Sequence, residues 1–449
     1  MTTIEKKSYP DRRAADVLLA ALRGRGGKVT QADAITMSGL PAPEAERALT
    51  VLLKEYRSHL TATETGQLVY EFDPAFERRG ALTWGERLSA IGAALWSGFA
   101  FLFKISIVVT LVTYFVLFVA MVIGMMFAKR DDDDDRGGGF GLDGLFWFWG
   151  FGPSPGYGRR GLGGHVATGL RKQKPFYKSV FDFVFGPKAP KEDALGDEKE
   201  ILSAIRARAG RIAAVDLVEL MGWDFETAEQ EATRLLADYG GEPEVTEDGV
   251  VLYVFKELRQ TADRTRALGR PRRAWERLEE TPPLTGNTPT TNGIICLFNG
   301  FNLLAPLWIV PAFELKTHVS LAAFHVLTYE FPLVFSGLFF AIPLGRRVHE
   351  AIRERARRQR NARRSLLARI FGAPAGPKLE ATLAPEPELA HALTRELVLL
   401  GGDVEPDADG RVMYTFPRID RERAAVERAR RAADADEQSP GAAVFSSAD

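Results

Sequence analysis

Three stretches of the chain are apolar on every face. Between them, hydrophobic positions fall at helical and strand spacing in short blocks. Ile105 to Ala128 is a run of 24 residues without a charge. At helical rise it covers a hydrocarbon core of about 30 Å, and soluble helices are rarely apolar all round for so long. Gly293 to Phe313 is a second uncharged run, of 21 residues, and Val319 to Leu344 a third, interrupted by His325 and Glu330. The link Glu314–His318 is so short that the second and third runs are expected as an antiparallel hairpin. Residues 84–103, with Trp84, Leu88, Ile91, Leu95 and Phe99 beside Glu86 and Arg87, are expected as an interfacial lead-in helix, separated from the first span by Lys104. Pro306, Pro311, Pro332 and Pro343 predict kinks in the hairpin.

Outside the spans, one pattern occurs three times. Gly66-x-x-x-Tyr70-x-Phe72 returns as Gly249-x-x-x-Tyr253-x-Phe255 and as Gly410-x-x-x-Tyr414-x-Phe416. Each copy follows a helical pattern (Pro43–Tyr56, Asp224–Tyr239, Glu388–Leu400) and a short strand. The Thr65-Gly66, Asp248-Gly249 and Asp409-Gly410 dipeptides signal hairpin turns. Copies one and two carry two further helices upstream, at 14–23 and 31–37 and at 199–208 and 214–221. Copy three has a first helix at Ser365–Phe371 and a second poorly marked by Pro and Gly. The order helix, helix, helix, two-stranded wing resembles the winged-helix fold. The fold class expected is α+β: a three-span α-helical membrane protein with three winged-helix-like domains.

Charge then sets orientation and narrows the partners. Net charge is −1, so no overall field selects nucleic acid. Arg346 to Arg364 holds nine Arg and two Glu, and Arg270, Arg272, Arg273 and Arg277 precede the second span, so both ends of the hairpin are expected in the cytoplasm. Around the first span the count ties, with Arg78, Arg79 and Arg87 before it and Lys129, Arg130 and Arg136 after it. A single crossing there puts copy one opposite copies two and three. Otherwise Ile91 to Ala128 crosses twice, or the aromatic stretch 138–152 dips back. The Arg-rich helix, with Arg346, Arg347, Arg353, Arg355, Arg357 and Arg358, is read as facing anionic lipid headgroups. A DNA reader needs cations on its third helix. Copy two offers Asp224, Glu226, Glu229, Glu231 and Asp238 against Arg234, copy three Glu388 and Glu396 against Arg395, and copy one a mixture. Nucleic acid is therefore disfavoured, and an unnamed protein partner preferred. The acidic run Asp131–Asp135 is read as a solvated block, and Phe146-Trp147-Phe148-Trp149 as membrane-interface aromatics.

Chemistry is sparse. Cys296 is the only cysteine, so no internal disulfide and no single-chain cysteine-ligated cluster can form. No nucleophile elbow, His-x-x-x-His or Walker-type loop occurs, and no catalytic, cofactor or metal residue is assigned. Met1 to Arg13 is polar and does not read as a secretory signal. Asn302 and Glu330 are equally far from the hairpin loop, about 18 Å at helical rise. With Asn299 and His325 they form the candidate intramembrane polar cluster. It reads either as a proton or ion relay on Glu330 or as Asn302–Glu330 helix glue.

Phe176-Tyr177-Lys178-Ser179-Val180-Phe181-Asp182-Phe183-Val184-Phe185-Gly186, followed by copy two, resembles a family of membrane proteins from cyanobacteria and plastid envelopes. Some of its members carry an iron–sulfur-cluster-biosynthesis label. The similarity covers about residues 175 to 345. It implies location and architecture, and Cys296 inside a span argues against a ligand role here.

The organisation expected is a winged-helix-like domain at 10–80, lead-in helix and first span at 84–128, an acidic and Gly/aromatic linker at 129–175, a second domain at 176–260, a basic linker at 261–290 and the hairpin at 291–345. A basic helix with a degenerate third domain follows at 346–420, then a charged helix and disordered tail at 421–449. The function expected is a scaffold or assembly factor, multi-pass in the inner (cytoplasmic) membrane and not an enzyme, with homo-oligomerisation open. The alternatives are a transporter or channel component centred on Glu330 and a membrane-bound DNA-binding regulator.

Overall fold

The computed structural model describes residues 9–23, 28–63, 67–73, 75–79, 84–127, 174–189, 193–259, 270–317, 321–432 and 443–446. The fold is mixed α and β, mostly helical, with one four-stranded and two three-stranded sheets among the described residues. Three helices, Ile91–Met126, Pro289–Thr317 and Ala322–Gly372, are long and apolar enough to cross a membrane.

The first block begins with α1 (Asp11–Leu22), whose buried residues Ala14, Ala15, Leu18, Leu19 and Leu22 follow helical spacing. After β1 (Lys28–Thr30), a reciprocal capping box starts α2 (Gln31–Ser38). The Asp33 N–H donates to the Thr30 hydroxyl, and the Thr30 N–H to the Asp33 carboxylate. Then come α3 (Ala42–Glu55) and the hairpin β2 (Ser58–Thr63) and β3 (Leu68–Phe72). Next are α4 (Trp84–Phe127) and α5 (Phe176–Phe185). The second block is α6 (Gly196–Ala207), β4 (Arg211–Ile212), α7 (Ala214–Met221), α8 (Phe225–Tyr239), β5 (Glu242–Val245) and β6 (Val251–Val254). The hairpin follows: α9 (Pro289–Thr317), α10 (Ala322–His325), a π turn at Val326–Glu330, and α11 (Phe331–Gly372). The last block is β7 (Lys378–Leu379), a one-turn α12 (Glu380–Leu383), α13 (Pro387–Leu399), β8 (Asp403–Pro406) and β9 (Val412–Thr415). It is followed by α14 (Pro417–Arg431) and β10 (Ala443–Ser446).

The three sheets share one register. Tyr70 lies between Val29 and Leu60, Tyr253 between Ile212 and Pro243, and Tyr414 between Lys378 and Val404, all antiparallel. Each hairpin closes with the same bond, from the N–H of Thr63, Thr246 or Asp407 to the carbonyl of Gln67, Val250 or Arg411. Gly249 and Gly410 hold φ of +71° and +75° in their turns, the left-handed region that favours glycine. Gly66 lies outside the described residues. Phe72, Phe255 and Phe416 are almost fully buried. Beneath the last two, a doublet ends the preceding helix. A Cβ on Gly241 would lie 2.7 Å from the Phe255 ring, and one on Gly402 2.9 Å from the Phe416 ring.

The chain divides into two compact units. The first comprises residues 1–87, 190–281 and 351–449 and holds all three helix–hairpin blocks. One continuous apolar core joins Leu18, Leu49 and Phe72 of the first block, Leu202, Leu235 and Phe255 of the second, and Leu366, Leu393 and Phe416 of the third. The second unit, 88–189 and 282–350, contains the spans.

Four expectations change. Residues 84–103 are no separate lead-in: α4 is one helix from Trp84 to Phe127, and Lys104 continues it with its ammonium 4.7 Å from the Phe181 ring centroid. That continuity also removes a double crossing within 91–128. The motif helix α5 packs with the spans instead of the second block, because Val180, Phe183 and Val184 are buried with Ile107, Leu111, Ile295 and Phe339. The tail is not wholly disordered. β10 pairs antiparallel with β2, Ala443 opposite Thr63 and Ser446 opposite Thr61, covering an otherwise open sheet edge. The acidic run 131–135 and the aromatic stretch 138–152 lie outside the described residues.

Candidate functional sites

In the spans, each asparagine of the expected polar cluster reaches a backbone carbonyl on another helix. Asn302 donates to Leu111 O at 2.7 Å and Asn299 to Ser336 O at 3.1 Å, with all three polar side chains wholly buried. Such bonds join helices where no water competes. The structure does not bring Glu330 to Asn302. Glu330 lies on the exposed face of the π turn, and His325 Nδ1 lies 3.0 Å from Glu314 Oε1 and stacks on Tyr329 at 4.8 Å. Pro332 explains the turn. It has no N–H to give the Leu327 carbonyl, and the Phe331 N–H already reaches back five residues, to Val326 O. The Tyr114 hydroxyl takes the freed Leu327 oxygen at 3.0 Å.

The span ends fix which helices meet where. Lys316, beyond the second uncharged run, bonds to Met125 O near the end of α4. Lys174 bonds to Asn287, before the start of α9, and Phe103 packs on Phe185. The far end of α4 and the start of α5 therefore lie at opposite ends of the bundle.

The arginines of α11 divide by face. Arg346 donates to Val184 O at 3.3 Å, placing a cation at the C-terminal end of α5, and to Leu284 O, before α9, at 2.9 Å. Arg357 is buried and paired with Glu354, which also holds Arg358 at 3.1 Å. Arg347, Arg353 and Arg355 are exposed. The expectation that all six face lipid is thus corrected for Arg357, which the helix buries against protein, whereas Arg346 is held by two protein carbonyls and stays partly exposed. Further along, Glu279 takes Arg360 in a two-pronged pair at 2.8 and 2.6 Å, and that bond holds its carboxyl below the usual range. Burial pushes the Glu396 carboxyl up, against the pull of Arg363 at 3.0 Å.

No protein-family model matches the chain, and no solved structure does. The chain is similar to an uncharacterised chloroplastic protein of Arabidopsis thaliana. The two are 24% identical over 255 residues, 53% of this chain and 47% of that protein. The chain thus spans about half the length of the curated relative it matches.

In the unit that holds the three blocks, the first turn of the second helix carries buried carboxylates that bond both the helix cap and a distant arginine. Asp33, 1% exposed, gives one oxygen to the α2 cap and the other to Arg206 on α6, at 2.8 Å. Asp216 occupies the same place at the start of α7. It accepts from the Ala213 N–H at 2.8 Å and from Arg430 of α14 at 2.5 Å. The Tyr239 hydroxyl adds a bond to Gly39 O at 3.1 Å, and burial pushes that phenol well above its usual range. Sequence reasoning missed these arginines. The Thr30-x-x-Asp33 box was a readable signal for the cap, and nothing local marked Arg206.

The third helices offer little free positive charge. Arg234 of α8 pairs with Glu231 at 2.7 Å and Asp238 at 2.9 Å, and Arg47 of α3 with Asp11 at 2.9 Å. Arg418 of α14 lies 3.8 Å over the Phe225 ring and pairs with Glu229. The hairpins instead present valines among acids. Val245 is 71% exposed opposite Val251, beside Glu242, Glu244, Glu247 and Asp248. Val404 and Val412 are exposed beside Asp403, Glu405 and Asp409. Among the described residues, no group of His, Cys, Asp and Glu is placed to hold a metal ion.

Proposed function

We propose that the protein is a membrane-anchored scaffold or assembly factor whose three blocks are winged-helix-like repeats of one unit and whose wings dock protein partners. The observation that carries this reading is the exposed Val245–Val251 pair within an acid-rich hairpin, joined in the third block by exposed Val404 and Val412, which stand opposite Tyr414 and Pro406. The strip is rimmed by carboxylates, several of them shared with Lys256, Arg211, Arg428 and Arg411, and an apolar centre with a charged rim fits a protein surface of matching pattern. The arginines of α3 and α8 are held by carboxylates, which argues against DNA as the ligand. The blocks are proposed to lie on the cytoplasmic side of an inner membrane. The chloroplastic name of the relative accords with the resemblance to plastid-envelope and cyanobacterial membrane proteins.

Photo-crosslinkers at Val245 and Val404 in the full chain test this. Discrete adducts to one partner are expected, lost when the other valine of the same hairpin is changed to Glu. Absence of adducts, together with salt-sensitive binding of duplex DNA by the detergent-solubilised chain, would overturn the reading in favour of a DNA-binding regulator.

A further inference from the structure

A cavity of about 270 Å³ opens in the membrane unit where α11 leaves the uncharged run, lined by Pro282, Pro283, Leu284, Gly345, Arg346, His349 and Glu350. We propose that it is a binding site for one anionic phospholipid, with the phosphodiester against Arg346 and His349 and an acyl chain leaving along Leu344 and Val348. The proposal rests on the reading of α4, α9 and α11 as membrane spans, and extends it from a surface that attracts lipid to a single built site.

Four observations converge. Gly345 directly follows Leu344, the last residue of the uncharged run, so the cavity sits at headgroup depth. Arg346 is fixed by the Val184 and Leu284 carbonyls, which use two of a guanidinium's five N–H groups and leave donors to offer a phosphate oxygen. The wall opposite, Pro282-Pro283-Leu284, is apolar and suits a glycerol backbone and tail rather than a free ion. Leu344 and Val348, one turn apart, are 64% and 55% exposed and form an apolar track beside the mouth.

Gly345 gives a clean test, because a Cβ there meets nothing within 4 Å. Gly345→Leu therefore seats its Cβ without a clash and places a bulky side chain at the mouth. The full chain is purified from nanodiscs of mixed phosphatidylglycerol and phosphatidylcholine, and retained lipid is counted by native mass spectrometry. One phosphatidylglycerol per chain is expected, retained over phosphatidylcholine. Retention should fall about tenfold in Gly345→Leu, fall in His349→Ala, and hold in Arg347→Ala, whose side chain lies outside the cavity. Equal retention of both lipids overturns the site, as does equal loss in Arg347→Ala or no loss in Gly345→Leu. Protection of the chain by soluble glycerophosphoglycerol as strong as by the lipid would overturn the amphiphile and leave a phosphodiester pocket. Melting of each variant separates loss of the site from loss of the fold, and the Val245 adducts, which do not involve this cavity, report separately on the scaffold reading.

Discussion

Asp33 shows how far a single residue can be read from its neighbours. Thr30 three positions earlier marks it as half of a capping box, and one of its oxygens does that work. The other is turned into the core to meet Arg206, and both side chains are almost completely buried. No local pattern points there, because the pair is made by two surfaces 173 residues apart in sequence. Removing one member strands the other: Arg206→Ala is expected to cost about 3–5 kcal/mol, measured by chemical denaturation of the solubilised chain, whereas Arg347→Ala should change stability little. Glu279 behaves differently because it is partly exposed. Its carboxyl is held below its ordinary 4.5 by Arg360, so its contribution is present above that value and fades as pH falls through the lowered one. Glu279→Gln is expected to cost about 1 kcal/mol or less at neutral pH and to flatten that acid limb in a pH series of melts.

Among the elements, the hairpins and the positions of the three spans were legible, and the contacts within the spans were not. Gly249 and Gly410 announce their turns, since the left-handed backbone there needs no knowledge of distant contacts. Gly249→Ala is expected to destabilise by about 1 kcal/mol through backbone strain alone, because open space surrounds the site. Gly241→Ala should cost more, about 1–3 kcal/mol, because its methyl meets Leu236 and Phe255 at under 3 Å. The doublets Gly240-Gly241 and Gly401-Gly402 stand in the sequence as plainly as the Tyr and Phe, but their role is visible only when the ring lies over them. In the hairpin of spans, the prolines announce disturbance without its form. Depth counting paired Asn302 with Glu330; the π turn before Pro332 instead leaves Glu330 outward, and rotation about a helix axis is not encoded in distance from a loop. The Tyr114 bond to the carbonyl that Pro332 leaves free makes a further prediction. Tyr114→Phe is expected to lower resistance to unfolding in mild detergent by about 1 kcal/mol, read as a shifted denaturation midpoint.

At the scale of the molecule, the three blocks share one core, and this bears on the tie in flanking charge around the first span. Composition placed the spans, but charge counting could not assign the side of the first block, because the decisive contacts are those of α2 with α6 and of Tyr239 with Gly39. All three blocks are expected on one face of the membrane. Thr50, Thr233 and Thr394 are exposed on α3, α8 and α13 and give equivalent reporters. With each changed to Cys in a Cys296→Ser background, an impermeant thiol reagent on intact cells should treat all three alike. Labelling of Thr50→Cys alone would contradict the shared core.

The pairing of β10 with β2 also imposes an order in time. The first block leaves the ribosome long before residues 443–446 exist, and all three spans are made in between. At about 5–20 residues per second, the edge of β2 stays uncovered for roughly 20 to 80 seconds, longer if insertion stalls. During that interval an open edge can accept any extended chain nearby, including the same strand of a neighbouring nascent copy. Residues 443–446, made after all three spans, thus close the sheet that was begun before any of them, and a chain cut short before them would emerge fully inserted yet with that edge still bare.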